Sequence, residues 1–278
     1  MSDIYSSIYS SLEEGVPGVL ITSMSQKNQK DNIKIFIDKN EKTVGDSIDD
    51  KKIMVALKKY VLKEISSKIF SSVSTIFFNQ ETLEIQEYKK NDLITNISKQ
   101  KENFFLLEYI YPKLKLVIVG AGHVGQALAQ IAEIIGFEIF VIDDREDYAN
   151  KIRFPMAKSI FNQELEDSID SINIDSLSYV VLVSRGHKLD EEALRIIIDK
   201  NAQYIGMIGS KRRTSIVLNS LLDDGISAKK LQAVHTPVGL NLGGQSPGEI
   251  ALAILAEIIQ LIHKGDGKSL RLSRKSLL

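Results

Sequence analysis

LKLVIVGAGHVGQALA, residues 114–129, is the stretch on which the fold turns. Apart from Lys115 its first half is continuously apolar, as a strand buried on both faces requires. Gly120, Gly122 and Gly125 then fall in a GxGxxG pattern, with His123 and Val124 between the last two, and a helical run follows. In a strand-to-helix turn each glycine has its own task. Gly120 makes the tight turn, Gly122 lets the backbone approach a phosphate, and Gly125 lets helix and strand pack closely. Free amides at such a helix start attract an anion. The next apolar run, FEIFVID, ends at Asp143, 23 positions after Gly120, near the place expected for a ribose-binding carboxylate. Asp144 and Arg145 follow, so a free 2′-hydroxyl and a 2′-phosphate both stay open, with the hydroxyl favoured.

Outward to the C terminus, short apolar runs alternate with helical ones. Strands are expected at 137–143, 179–184 and 202–209, with a last short one in 231–237. Helices are expected at 123–135, 189–200 and 211–225, and a final one begins at Ser246. Ser246 as cap, Pro247 at the first helical position and Glu249 three residues on make a capping box. The alternation predicts an α/β fold: a Rossmann-like, doubly wound parallel sheet over residues 112–265, followed by a loose tail at 266–278.

Residues 1–111 read as a smaller α+β domain. Apolar runs at 16–24 and 33–38 suit strands, and residues 74–90 suit two strands around a turn. Another strand, at 104–112, stops at Pro112. Ile53, Leu57, Val61, Ile65 and Ile69 recur every fourth position, the stripe of an amphipathic helix.

Three further clusters fall at the ends of predicted strands. In SRGHKLD, the residues Arg185, Gly186, His187 and Asp190 lie at a carboxyl strand end, where ligand crevices form in open α/β sheets. Asp190 could equally cap the next helix, and His187 could be a solvated loop residue. In IGSKRR, Gly209, Ser210, Lys211 and Arg212 resemble an anion seat, because cations at a helix N-terminus oppose the macrodipole unless an anion compensates. A solvated charged turn is the alternative. HTPVGLNLGGQSPGE holds Gly239 and Glu249 in a loop too rich in glycine and proline for an ordinary connector. The four histidines show no metal-ligand spacing, so no metal site is expected, and no complete proton-transfer set marks a catalytic residue.

Composition removes other classes. With 35 basic and 36 acidic residues there is no global field for nucleic acid. The chain contains no cysteine, which excludes disulfides, thiolate catalysis and carriage of a persulfide by this chain. The longest apolar stretch, IALAILAEIIQLI, is interrupted by Glu257, and the start lacks the pattern of a leader; a cytoplasmic protein without membrane contact is expected.

LVIVGAGHVGQALA, VIDDRED, the RFP at Arg153 to Pro155, SRGHKLD, YIGMIGSKRR and PVGLNLGGQSPGEIALAILAEI together resemble the XdhC/CoxI family, accessory factors of xanthine dehydrogenase and related molybdenum hydroxylases. The resemblance covers about residues 104–265. It implies a chaperone rather than an enzyme, one that binds a molybdenum-pterin cofactor, with or without its cytosine dinucleotide. It would protect the cofactor while a cysteine desulfurase adds the sulfido ligand and deliver it to the apo-hydroxylase. Homodimers are expected of such factors, with a docking face near Lys211 to Arg213 and the 235–249 loop. An NAD(P)-binding oxidoreductase or a dinucleotide-sensing regulatory module is the alternative. The N-terminal domain departs from the family: SMSQKNQKDN and TVGDSIDDKK stand where GSxPR-type and GGGCxE-type motifs occur.

Overall fold

The computed structural model describes residues 2–24, 32–67, 72–79, 82–87 and 103–271. The chain divides into two compact units, Met1–Pro112 and Lys113–Leu278.

The first unit is a six-stranded antiparallel sheet. In chain order its strands are β1 (Gly18–Met24), β2 (Lys34–Asp38), β3 (Thr43–Gly45), β4 (Ser72–Asn79), β5 (Glu84–Glu87) and β6 (Asn103–Ile110), arranged β3-β2-β1-β6-β4-β5. Period-two alternation sends Val19, Ile21, Ile35 and Ile37 to one face and Leu20 and Phe36 to the other. The first face is covered by α2 (Lys51–Ser67), whose Ile53, Leu57, Val61 and Ile65 are all buried, as the four-residue spacing predicts. Ile69 lies outside the described residues. The other face packs on α1 (Ser2–Glu13) through Ile4 and Ile8. Neither α1 nor β3 was anticipated, because α1 spreads two isoleucines among serines and tyrosines and β3 has only three residues. Most of the SMSQKNQKDN departure lies outside the described residues.

The second unit has five parallel strands: β7 (Lys115–Val119), β8 (Glu138–Ile142), β9 (Ser159–Phe161), β10 (Ser178–Leu182) and β11 (Tyr204–Met207). Their order is β11-β10-β7-β8-β9, the doubly wound arrangement expected of a Rossmann domain. Both faces are buried, which is why the strands read as unbroken apolar runs. Leu116 and Ile118 face α3 (His123–Ile134) and α8 (Pro247–His263); Val117 and Val119 face α4 (Leu165–Asp170), α5 (His187–Ile197) and α6 (Lys211–Asp223). Since α3 and α5 follow adjacent strands but cover opposite faces, the sheet reverses its winding between β7 and β10. That is where a crevice opens at the carboxyl ends of the strands.

Three expectations need correction. The strand expected in 231–237 is a single bridge, Gly206 to His235, preceded by a short helix, α7 (Ala228–Gln232). Pro237 has no N–H with which to extend the ladder. Second, β9 and α4 occupy the polar stretch between β8 and β10, too short to show a period in sequence. Third, α5 begins at His187, earlier than the expected 189, with Gly186 as its N-cap. The capping box of α8 forms as expected, with Ser246 Oγ accepting from the Glu249 amide and the Glu249 carboxylate accepting from the Ser246 amide. Among the described residues no helix is long and apolar enough to cross a membrane.

Candidate functional site

The glycine turn joins β7 to α3, and the structure separates its three glycines by cause. Gly120 has φ +117°, and a Cβ there would lie 2.7 Å from the Val183 carbonyl at the end of β10. At Gly125 a Cβ would lie 2.0 Å from the Gly120 carbonyl oxygen. Both are glycine because neighbouring backbone leaves no room. Gly122 is different: its φ of −68° suits any residue, and an added Cβ would meet nothing within 4 Å. It is the N-cap of α3, yet no side chain caps that helix. Gly186 likewise caps α5 without a side-chain bond, whereas Ser210, Ser227 and Ser246 cap α6, α7 and α8. The helices that flank the switch point thus present bare amides at the crevice.

Asp143, only 3% exposed, is the hub beside this turn. Its Oδ2 accepts from the Ala121 amide at 2.7 Å and from Arg145 Nη2 at 2.7 Å. Its Oδ1 accepts from Arg145 Nε at 2.8 Å and from the Arg145 amide at 3.1 Å. Four donors fill the lone-pair positions of a carboxylate, so the ribose acceptor expected from sequence has no lone pair left for a hydroxyl. Burial by itself would raise the Asp143 pKa, but the Arg145 side chain and the two amides outweigh it and hold the group below its ordinary value of 3.8. A depressed folded-state pKa stabilises the native state above the unfolded value and loses that contribution as pH falls through the folded value. We therefore expect Asp143→Asn to destabilise the protein by about 2 kcal/mol at neutral pH, because Arg145 is left half-paired at a partly exposed position. That difference should shrink below about pH 4. Melting curves of both proteins across pH check this, and a gap that persists into acid would refute the electrostatic account.

Three arginines gather beside the hub. The guanidinium carbons of Arg145, Arg153 and Arg185 lie 4.1, 4.9 and 5.2 Å from the centroid of the Tyr148 ring. They come from different segments: Arg145 follows β8, Arg153 precedes β9, and Arg185 follows β10. Arg153 Nη2 donates to Gln126 Oε1 at 3.0 Å, and Gln126 Nε2 donates back to the Arg153 carbonyl, tying the cluster to α3. Sequence reasoning singled out Arg145 and Arg185 but not Tyr148, and it used Arg153 only within the RFP motif.

The remaining expected residues are placed as follows. Asp190 lies in the first turn of α5, where its Oδ1 accepts from the Ser184 amide at 3.2 Å. Of His187 only the backbone is described; its side chain lies outside the described residues. Asp144 and His123 are exposed, and Val124 packs against the core beside α3. Gly209 packs against Thr214 and Ser210 caps α6, while Lys211 and Arg212 are exposed with no ion pair among the described residues. Gly239 and Glu249 are held within the chain. A Cβ on Gly239 would press on the backbone of α8, and the Gly239 amide donates to Glu257 Oε2 at 3.2 Å. The Glu249 carboxylate is taken up by the capping box, with the Gln245 amide as a further donor.

Sequence reasoning missed Glu257, although it noted the residue as the break in an apolar run. Glu257 accepts from the Tyr204 hydroxyl at 2.5 Å and faces His235 Nδ1 at 3.6 Å, with the Tyr204 and His235 rings 4.6 Å apart. Burial opposes its ionisation, yet the facing His235 ring and the Tyr204 and Gly239 hydrogen bonds outweigh that and lower its pKa. It fastens the 235–239 segment to α8. Among the described residues no group of three His, Asp or Glu side chains could hold a metal ion.

Residues 116–258 match the family model described as the XdhC Rossmann domain. The uncharacterized protein YqeB of Escherichia coli K12 is 32% identical over 154 residues, 55% of this chain and 28% of that protein. A probable xanthine dehydrogenase subunit of Bacillus subtilis 168 is 30% identical over 161 residues, 58% of this chain and 46% of that protein. The chain thus spans less than half the length of either curated relative. Among solved structures, one described as a xanthine dehydrogenase from Bacillus halodurans shares the fold, with a TM-score of 0.53 over 98% of both chains at 20% identity.

Proposed function

The chain belongs to the XdhC family, and from that membership we propose that it is an accessory factor that binds a molybdenum-pterin cofactor at the glycine turn and serves a xanthine dehydrogenase-type hydroxylase. The observation that carries the reading is Gly122, a glycine that no protein atom requires, at the bare start of α3. A side chain there would fill the space through which a phosphoryl group reaches the amides. The residues fit the phosphate end of such a cofactor: the amides of α3 and α5 supply donors, and Arg145, Arg153 and Arg185 supply positive charge.

When bound, the cofactor supplies the molybdenum centre on which the hydroxylase depends. The protein's own share is to grip the phosphoryl end and orient it on the two helix starts. With no cysteine in the chain, sulfur for the metal would come from a partner desulfurase, and the apo-hydroxylase would be the recipient. The name of the Bacillus subtilis relative supports this assignment.

Titration calorimetry with the pterin cofactor, with and without its cytidine nucleotide, and with NAD tests the reading. Binding of the pterin cofactor is expected, with NAD at least about tenfold weaker because the saturated Asp143 cannot accept from a ribose hydroxyl. Binding of NAD without the pterin cofactor would overturn it in favour of a dinucleotide-sensing module.

A further inference from the structure

We infer that Arg145, Arg153 and Arg185, gathered on Tyr148, complete an anion subsite beside the bare helix starts that takes a phosphomonoester group of the ligand. The inference rests on the reading that the crevice above the glycine turn holds an anionic ligand, and it adds which end group that ligand carries.

Three guanidinium groups within 5.2 Å of one ring centroid repel one another, and the ring's attraction for each cation offsets only part of that. Arg145 is explained within the chain, since Asp143 takes two of its donors and Asp144 adds a second negative charge. Arg153 and Arg185 are not. Arg153 spends one nitrogen on the neutral Gln126, and neither arginine has a carboxylate partner among the described residues. Two uncompensated cations on one rim match a dianion. A phosphomonoester carries close to two negative charges at neutral pH and three acceptor oxygens, whereas each phosphate of a pyrophosphate diester carries one charge. The planar fork of arginine suits such oxygens.

The subsite borders the glycine turn. Arg145 Nη2 and the Ala121 amide share Asp143 Oδ2, and Arg153 is fastened to Gln126 in α3. Because Arg185 arrives from β10 and the other two from the β8 side, the group they hold would bridge the switch point. Two sources carry this chemistry in such a ligand: the terminal phosphate of a pterin cofactor without its nucleotide, and the 2′-phosphate of NADP.

The test is titration at low ionic strength of wild type and R153Q/R185Q, using 2′-AMP against adenosine, NADP against NAD, and the pterin cofactor before and after phosphatase treatment. Wild type should prefer 2′-AMP to adenosine by about tenfold or more, and the double variant should lose that preference while binding adenosine unchanged. Arg185 is exposed, so R185Q alone tests the point without risk to folding and should lose part of the preference. A preference in the NADP pair assigns the 2′-phosphate as source; one in the phosphatase pair assigns the pterin. Equal binding of 2′-AMP and adenosine by wild type, or a preference surviving in the double variant, overturns the inference whatever happens at the glycine turn. A 2′-AMP preference together with no affinity for the pterin cofactor would sustain the subsite and sink the accessory-factor reading instead.

Discussion

Gly122→Asp should abolish ligand binding while leaving the fold as stable as before or slightly more so. The backbone at Gly122 is extended, a conformation open to every residue, and a Cβ meets nothing within 4 Å, so the substitution carries no steric cost in the protein. Aspartate is among the best N-caps, and α3 has no side-chain cap to lose. Relative to glycine the gain is a few tenths of a kcal/mol. The same carboxylate places a negative charge on the amides that would receive a phosphoryl group. Repulsion and loss of donors together should lower affinity by about 100-fold or more. Calorimetry with the pterin cofactor and thermal melting read the two effects independently. Unchanged affinity would remove the glycine turn as the seat of the ligand; a collapsed melting curve would mean that Gly122 is glycine for a structural reason after all.

Gly125→Ala is expected to do the opposite and damage the fold first. Its Cβ would stand 2.0 Å from the Gly120 carbonyl oxygen and 3.2 Å from Ile118 Cγ2. The Gly120 carbonyl cannot retreat freely, because Gly120 is itself held at φ +117° by the backbone of Val183. Relief requires α3 to lift from β7, and α3 also packs against α8 in the same core. We expect a loss of about 3 kcal/mol, the upper end of overpacking costs. That corresponds to roughly 6–12 °C in Tm for a unit of this size. A Tm within a degree or two of wild type would show that the helix start accommodates a methyl group, and that close packing does not explain this glycine.

The opposite signs of these two effects show how far a glycine pattern can be read. GxGxxG gave Gly120, Gly122 and Gly125 separate tasks, and the crowding at Gly120 and Gly125 and the open space at Gly122 agree with them, but the pattern did not say that Val183, at the end of a distant strand, is what crowds Gly120. Asp143 shows the same limit. Its distance from Gly120 suggested a ribose acceptor, yet the lone pairs were claimed by Ala121 and Arg145, and one-dimensional spacing carries no count of donors. Gly239 and Glu249 stood out for their loop composition, and both turn out to be engaged within the chain by α8.

By itself the sequence determined what depends on neighbours along the chain. The unbroken apolar strands, the four-residue stripe of α2, the glycine turn and the α8 capping box all follow from local spacing, because period and turn chemistry act over a few residues. That the strands pair in parallel followed from the alternation of strand and helix. Only the tertiary structure decided which distant groups meet. The segments that follow β8 and β10 carry Arg145, Arg153 and Arg185 from positions up to 40 residues apart to a single tyrosine ring. Such convergence is set by strand order and loop path, and leaves no periodic trace in sequence.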